Sequence, residues 1–440
     1  MKIWSKAPFL CFFILFASLS EASPLKVEVS AKSAILVNAK TGAILWEKNG
    51  FTPVFPASTT KLITALYAME RKGDALDEMV EASQDAVACV SAATRRAERG
   101  GQPPYRLEYG GTHMGIKVGE ELPLRVLFYG LLLSSGNDAA NVIAEHVSGS
   151  IPLFMEEMNR YVREKGCQNT VLHAPHGLTW DGHKTTACDM AILAREFLKH
   201  DFLLEVVKST QSIRPQSNKQ PESILVQFNA LLKPGKFFYR KAFGIKTGYT
   251  DAAGYTLVTA AKDENRTLIA AVFGCEKIEH RYIDAIALFE AAFNEKKVVR
   301  TLFSRGFDLF SRPVEGGKIP LQAYLPEDVL LEYYPSEEPV FRTAVLWQVP
   351  SLPITPNQKV AEIQILSADG QALITAPLYA VKGVEATFSY RVNFQWQKAK
   401  AGFWDHLALV MTSTGLLILG VGYYYTHRLR IQRSASRRVK

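Results

Sequence analysis

The sequence predicts an α+β protein in two exported parts, followed by a C-terminal transmembrane helix. Three observations carry that expectation. Helical and strand periodicities are interspersed through roughly the first three hundred residues, the next stretch reads as short strands alone, and one long uncharged run lies near the C-terminus. At 440 residues, with 48% apolar and 21% charged, the chain has room for two or three domains and is too apolar to be disordered.

The N-terminus opens Met1-Lys2-Ile3-Trp4-Ser5-Lys6, runs apolar from Ala7 to Leu19, and continues Ser20-Glu21-Ala22. A basic start, a short apolar stretch and small residues at positions 20 and 22 predict a secretory signal over residues 1–22. Ala34 to Glu47 reads as a hairpin turning at Ala39-Lys40-Thr41-Gly42. From Pro56 to Arg71 the period becomes helical, with Leu62, Ala65, Leu66 and Met69 on one face. Residues 91–112 look like a basic, glycine-containing loop. Helices are expected over Leu124 to Val147, Pro152 to Lys165 and Thr186 to Lys199. Phe243 to Ala261 and Leu268 to Gly274 read as adjacent strands, with a closing helix over Tyr282 to Asn294.

Beyond about residue 300, short strand candidates at Val329–Tyr334, Ala344–Val349, Val360–Leu366 and Ala372–Val381 predict a second, β-rich domain. Asp369-Gly370 is its clearest turn signal. The polar stretch Tyr390 to Lys400 reads as a stalk. Leu407 to Tyr425 then gives nineteen residues without a charge, about 28 Å as a helix, which matches a bilayer core. Trp404 and Tyr423 to Tyr425 suit its two interfaces, and the basic tail after it suits the cytoplasmic side. That tail accounts for the charge of the whole chain. Of the net +8, six charges (Arg428, Arg430, Arg433, Arg437, Arg438 and Lys440) lie in the last fifteen residues. The body is close to neutral, so nucleic acid is not an expected partner. Among the cysteines, Cys89, Cys167, Cys188 and Cys275 remain after the signal. Export permits a disulfide, but the spacing identifies none.

Three short motifs carry chemistry. Ser58-Thr59-Thr60-Lys61 stands at a predicted helix start, where positions i and i+3 share a face and backbone N–H groups favour a developing anion. Ser23-Pro24-Leu25-Lys26 repeats the pattern, but it carries a proline at the signal boundary and is discounted. Ser134-Ser135-Gly136-Asn137-Asp138 follows an apolar run and on its own reads as a turn or helix cap. Lys246-Thr247-Gly248 lies within a predicted strand, Phe243 to Tyr255, where a glycine marks close approach of backbone or ligand. Its double, Lys40-Thr41-Gly42, is a plain hairpin turn. Order and spacing decide: Ser135 follows Ser58 by 77 residues and Lys246 follows Ser135 by 111, the arrangement of penicillin-interacting serine enzymes.

From about Ala31 to about Thr387 the chain resembles the low-molecular-mass penicillin-binding proteins, the D-alanyl-D-alanine carboxypeptidases that include penicillin-binding proteins 5 and 6. The resemblance covers Pro56 to Lys61, Tyr129 to Ala140, Met158-Asn159, Pro175-His176-Gly177-Leu178, His183, Asp189-Met190, Gly244 to Thr250 and Ala253-Gly254-Tyr255. It implies a β-lactamase/transpeptidase-like catalytic domain, an antiparallel sheet flanked by helices, over residues 23–298. The small β-rich domain would span 299–389, the stalk 390–404, the transmembrane helix 405–425 and the cytoplasmic tail 426–440.

The resemblance also implies roles. Ser58 would attack the carbonyl of the penultimate D-alanine, and Lys61 would take its proton, provided burial and the second ammonium of Lys246 lower its pKa. Ser135 and Lys246 would relay that proton to the departing D-alanine, while Asn137 holds the substrate amide and steadies Lys61. The N–H groups of Ser58 and Tyr249, the latter beside Gly248, would form the oxyanion hole. Thr247 and Arg281 would hold the terminal carboxylate, which suits a planar guanidinium. His173, His176, His183 and Asp181 match a loop flanking the family's active site and read as structural. No metal or cofactor is expected.

The sequence departs from the family at Asn38, where an aspartate is usual, and at Tyr249, where a histidine is frequent. It departs also in the long basic stretch 91–112 and in a membrane-spanning rather than surface-lying anchor. The expected activity is removal of the terminal D-alanine from peptidoglycan stem peptides ending in D-Ala-D-Ala, with β-lactams as covalent inhibitors. The catalytic domain would lie on the periplasmic or cell-wall side of the cytoplasmic membrane. The alternatives are a serine β-lactamase, a D,D-endopeptidase or transpeptidase, and a non-catalytic wall-binding scaffold. Against the first, no glutamate between the second and third motifs has the Asn four residues on that a class A enzyme uses.

Overall fold

A computed structural model describes residues 25–97, 101–264, 266–306 and 310–435. The expected signal, residues 1–22, lies outside them. The chain divides into two compact units, one holding residues 25–298 with Tyr333–Glu338, the other Val299–Glu332 and the chain from Pro339 onward.

The first unit is built on a five-stranded antiparallel sheet. Its strands are β1 (Ser33–Asn38), β2 (Ile44–Lys48), β3 (Ala242–Thr250), β4 (Gly254–Asp263) and β5 (Arg266–Cys275), in the order β2-β1-β5-β4-β3. Alternation along the strands gives the sheet two apolar faces. In the β1–β5 pair, Ile35 stands opposite Ala271 and Val37 opposite Ile269. These four join one core, while Ala34, Leu36, Leu268 and Ala270 join the other.

The first core is closed by α1 (Thr60–Lys72), α2 (Leu124–Leu132), α3 (Asn137–Ser148), α4 (Ile151–Glu164) and α5 (Ala187–Phe197), the second by α6 (His280–Phe293). Helix α1 is buried from Thr60 to Ala68: Leu62, Ile63, Ala65 and Leu66 are inaccessible, and the polar Thr60, Lys61 and Thr64 are buried with them. Arg71 and Lys72 occupy its last turn, where cations complement the helix dipole.

Three sequence expectations are corrected here. The helix expected over Leu124 to Val147 is two helices, broken at Leu133–Gly136, where Ser135 takes φ +58°. Apolar residues run up to the break at Leu133 and resume at Ala139, so the helical period could be drawn through it. The strand expected from Phe243 to Tyr255 ends at Thr250, and the next begins at Gly254 (φ +67°) after a turn. The stretch 91–112 is not all loop. Ala92–Arg96 is a short helix, and Cys89–Val90 pairs in parallel with Leu107–Glu108. The turn at Lys40-Thr41-Gly42 is a hairpin turn as expected. Asn38 Oδ1 accepts from Lys40 N at 2.8 Å and Thr41 N at 3.2 Å, which is the turn chemistry an aspartate would supply. None of the four cysteines is paired, and burial pushes the Cys275 thiol up to about 12.

The second unit carries another five-stranded antiparallel sheet. Its strands β6 (Phe310–Arg312), β7 (Leu321–Tyr324), β8 (Phe341–Trp347), β9 (Lys359–Ser367) and β10 (Ala372–Ala380) run in the order β6-β7-β10-β9-β8 around a core that includes Leu321, Val360, Ile363 and Leu378. Helix α7 (Phe388–Ala435) follows, so the expected stalk and span share one unbroken helix. Among the described residues no helix is long and apolar enough to cross a membrane.

Candidate active site

Ser58 lies in a single 3-10 turn, Ala57–Thr59, that leads directly into α1. Thr59 Oγ1 donates to Pro56 O at 2.7 Å and Thr256 Oγ1 donates to the same carbonyl at 3.2 Å, which anchors the turn against β4. Ala57 is held at φ +49°, an uncommon conformation for a residue with a side chain. Packing on two sides enforces it. A Cβ on Gly177 would fall 2.0 Å from Ala57 O, and one on Gly248 would fall 2.9 Å from Ser58 N.

One turn further on, Lys61 is fully buried. Its Nζ lies 2.8 Å from Ser58 Oγ, 2.6 Å from Asn137 Oδ1 and 3.0 Å from His176 O. The two carbonyl oxygens can only accept. A neutral amine has two N–H donors and one lone pair, so these contacts spend both donors and leave the lone pair for the Ser58 hydroxyl proton. The electrostatics agree: burial, then the Lys246 ammonium, hold Lys61 well below the ordinary lysine range, against a smaller opposing pull from Asp138.

Asn137 begins α3, and its position is fixed by its neighbour. Asp138, buried, accepts from the backbone N–H groups of Met114, Gly115, Ile116 and Ala139 at 2.8 to 3.0 Å. Ser135 and Asn137 both line the cleft that Ser58 opens onto. Lys246 is buried on β3, where its Nζ donates to Thr247 O at 2.9 Å. Burial, then Arg281, push it down to about 7.

The cleft measures about 750 Å³ and is lined also by Thr247, Gly248, Tyr249, Tyr255 and Arg281. Arg281, in the first turn of α6, donates through Nη1 to Gly248 O at 3.1 Å and through Nη2 to Tyr282 Oη at 2.8 Å. Its buried Nε has no partner, so donors remain for an anion. Tyr249 turns its ring outward, half exposed and stacked on Tyr255 at 4.4 Å. All nine residues singled out from sequence therefore surround or back one cleft.

A family model described as D-alanyl-D-alanine carboxypeptidase matches residues 18–277. The chain belongs to that family. It is 31% identical to the D-alanyl-D-alanine carboxypeptidase DacF of Bacillus subtilis, over 84% of this chain and 91% of the relative. It is 28% identical to DacA of Escherichia coli, over 81% of this chain and 84% of the relative. Among solved structures, penicillin binding protein 6B of Escherichia coli aligns at TM-score 0.57 with 24% identity, over 82% of this chain and 99% of that one, a likeness in fold. The general chemistry of the family is a serine acyl-enzyme, and the chain is a serine-type carboxypeptidase by that membership.

The histidines in the stretch after α4 hold architecture. His176 Nε2 meets Tyr105 O at 3.0 Å, and its Nδ1 accepts from Leu178 N at 3.1 Å. Burial, then Lys61, keep this ring well below the usual histidine range. His183 Nε2 meets Thr60 Oγ1 at 3.0 Å, its Nδ1 accepts from His173 N at 3.0 Å, and burial pushes it down to about 3. Among the described residues no three His, Cys, Asp or Glu side chains are grouped to hold a metal.

Sequence reasoning singled out 91–112 as a departure from the family but missed the Asp138 clamp and the contacts by which Arg95 builds a wall of the cleft. There Arg95, fully buried, donates to Glu108 Oε1 at 2.7 Å, Pro104 O at 3.2 Å and Thr179 O at 2.7 Å. Thr179 Oγ1 in turn donates to Thr250 Oγ1 at 2.9 Å. The adjacent Arg95-Arg96 pair was the one signal for this wall, and a charge pair reads first as solvated surface.

Proposed function

We propose that this chain removes the terminal D-alanine from peptidoglycan stem peptides ending in D-Ala-D-Ala, through an acyl-enzyme on Ser58, and that penicillins acylate the same oxygen. The observation that carries the reading is the triple contact of Lys61 Nζ. Lys61 takes the Ser58 proton as Oγ attacks the penultimate carbonyl, and the tetrahedral oxyanion is held by the N–H groups of Ser58 and Tyr249. Collapse breaks the peptide bond. Ser135, with Lys246 behind it, delivers the proton to the leaving amine, and water then frees the shortened peptide. Arg281 and Thr247 hold the carboxylate of the departing D-alanine, and Asn137 Nδ2 donates to the donor-side amide.

The exported location and the anchor belong to the same reading. Their support is the basic, apolar N-terminus, the uncharged run Leu407 to Tyr425 within α7, the exposed Leu416, Leu417, Ile418 and Leu419, and the basic tail. Membrane fractionation tests this part: the full chain is expected in the membrane pellet, and a chain ending at Lys398 in the soluble fraction.

D-Alanine release tests the activity. The protein is expected to release it from a D-Ala-D-Ala peptide while turning over penicillin slowly. Rapid penicillin hydrolysis without peptide cleavage would mean a β-lactamase, and acyl transfer to an amine in preference to water a transpeptidase.

A further inference from the structure

Among the described residues of 91–112, Arg95 and Arg96 stand against one carboxylate, that of Glu108. Arg95 is fully buried and all three of its nitrogens donate, one of them to Glu108. That contact neutralises Glu108, whose side chain is only 12% exposed. Arg96, the next residue, also lines the cleft, but its side chain is 57% exposed and its ion pair with Glu108 is a long 4.0 Å. Among the described residues, the two guanidiniums thus share one carboxylate, and Arg96, the less closely paired, lines the cleft.

The place of that charge along a bound peptide follows from the two ends of the cleft. Arg281, with Gly248 and Tyr255, holds the end that takes the terminal carboxylate. Asp251 and Glu279, the other acids of the cleft lining, belong to that wall, and Asp251 accepts from the Tyr249 phenol at 2.9 Å. Asn137 takes the donor-side amide and adjoins the opposite wall. Its backbone N donates to Thr112 O at 2.8 Å, and a Cβ on Gly111 would lie 2.8 Å from its Nδ2. Gly110 and Gly111 line the same cleft as Glu108 and Arg96, which gives a peptide fixed at Arg281 and Asn137 a path along this wall.

We infer that Arg96 is a specificity residue that binds a carboxylate carried by the acyl donor upstream of the scissile bond. The inference rests on the carboxypeptidase reading of the same cleft. A planar guanidinium with free donors pairs with such a group bidentately. Half-exposed, the contact gives a preference of about two- to fivefold rather than an absolute requirement.

The test uses the full chain and two synthetic donors ending in D-Ala-D-Ala that differ only upstream, one side chain ending in a carboxylate and the other in its carboxamide. The wild-type protein is expected to favour the acid in kcat/KM. Arg96→Gln should bring the ratio near one and Arg96→Glu below one, with penicillin labelling of Ser58 confirming that each variant is folded. A wild-type ratio near one, or a ratio unchanged in Arg96→Gln, overturns the inference. If neither donor releases D-alanine, the carboxypeptidase reading fails, and the subsite is read from acylation rates of a penicillin with a side-chain carboxylate against an uncharged one. Loss of that ratio in Arg96→Gln supports the subsite, and a constant ratio overturns it.

Discussion

A Cβ on Gly248 would lie 2.9 Å from the backbone nitrogen of Ser58, so the edge strand of the sheet presses directly on the nucleophile's own peptide. The same Cβ would lie 2.5 Å from Thr256 Oγ1, the hydroxyl that holds Pro56 O. Gly248→Ala must push the strand or the turn aside, and each carries one of the two N–H groups proposed for the oxyanion hole. Loss of one such donor costs about 10² to 10³ in rate. Acylation by penicillin is expected to fall by that order, while the thermal midpoint moves by only a few degrees. Unchanged acylation would mean that the turn and strand do not act together.

Lys61→Met removes the amine that lies 2.8 Å from Ser58 Oγ. General-base catalysis is worth about 10² to 10⁴, and the acylation rate should drop by that factor. Because the lost group is a buried amine rather than a packing residue, the variant should remain folded. An acylation rate within about threefold of the wild type would assign the base elsewhere.

Lys246 gives a pH dependence of stability. Its pKa is pushed down to about 7 in the folded chain, against about 10.4 when unfolded. Between those values the unfolded state binds more protons, so stability rises with pH across this window. Below pH 7 the penalty is present in full, and above the unfolded value it is gone. Lys246→Met should therefore be more stable than the wild type at pH 6, by on the order of a few kcal/mol, with the advantage shrinking toward pH 10. It should also be catalytically impaired. Urea midpoints at pH 6 and 9 check the trend, and an advantage that grows with pH contradicts it.

Arg281 spends two donors on Gly248 O and Tyr282 Oη and leaves Nε unpartnered. A charge-assisted bond of this kind is worth about 1.5–3 kcal/mol, roughly tenfold to a hundredfold. Arg281→Gln should lower kcat/KM by that factor for a peptide ending in a carboxylate and much less for its C-terminal amide. Equal losses on both would mean that the arginine holds the cleft together rather than the substrate.

The candidate catalytic set was legible because three motifs, each weak alone, stand in one order and spacing, each in a suitable local setting: Ser58 and Lys61 on one helical turn, Ser135 and Asn137 at a helix start, Lys246 on a strand. What the sequence hid depends on contacts distant along the chain. Arg95 meets Thr179, 84 residues away, and nothing near either residue announces the pair. Gly177 stood out only as part of a run shared with the family, yet its lack of a side chain is what lets Ala57 O approach. Ser134 to Asp138 on its own reads as a turn or helix cap, yet Leu131, Leu132 and Leu133 extend the apolar rhythm to its edge, and the expected helix ran on through the point where Ser135 takes φ +58°.

The central claim is that Ser58 Oγ carries the acyl group. Mass spectrometry of the protein after brief exposure to penicillin, with D-alanine release followed in parallel on a D-Ala-D-Ala peptide, tests it most directly. The account predicts one penicilloyl adduct on the peptide containing Ser58, D-alanine release by the untreated protein, and loss of both in Ser58→Ala. An adduct on another residue, or activity retained by Ser58→Ala, would contradict it.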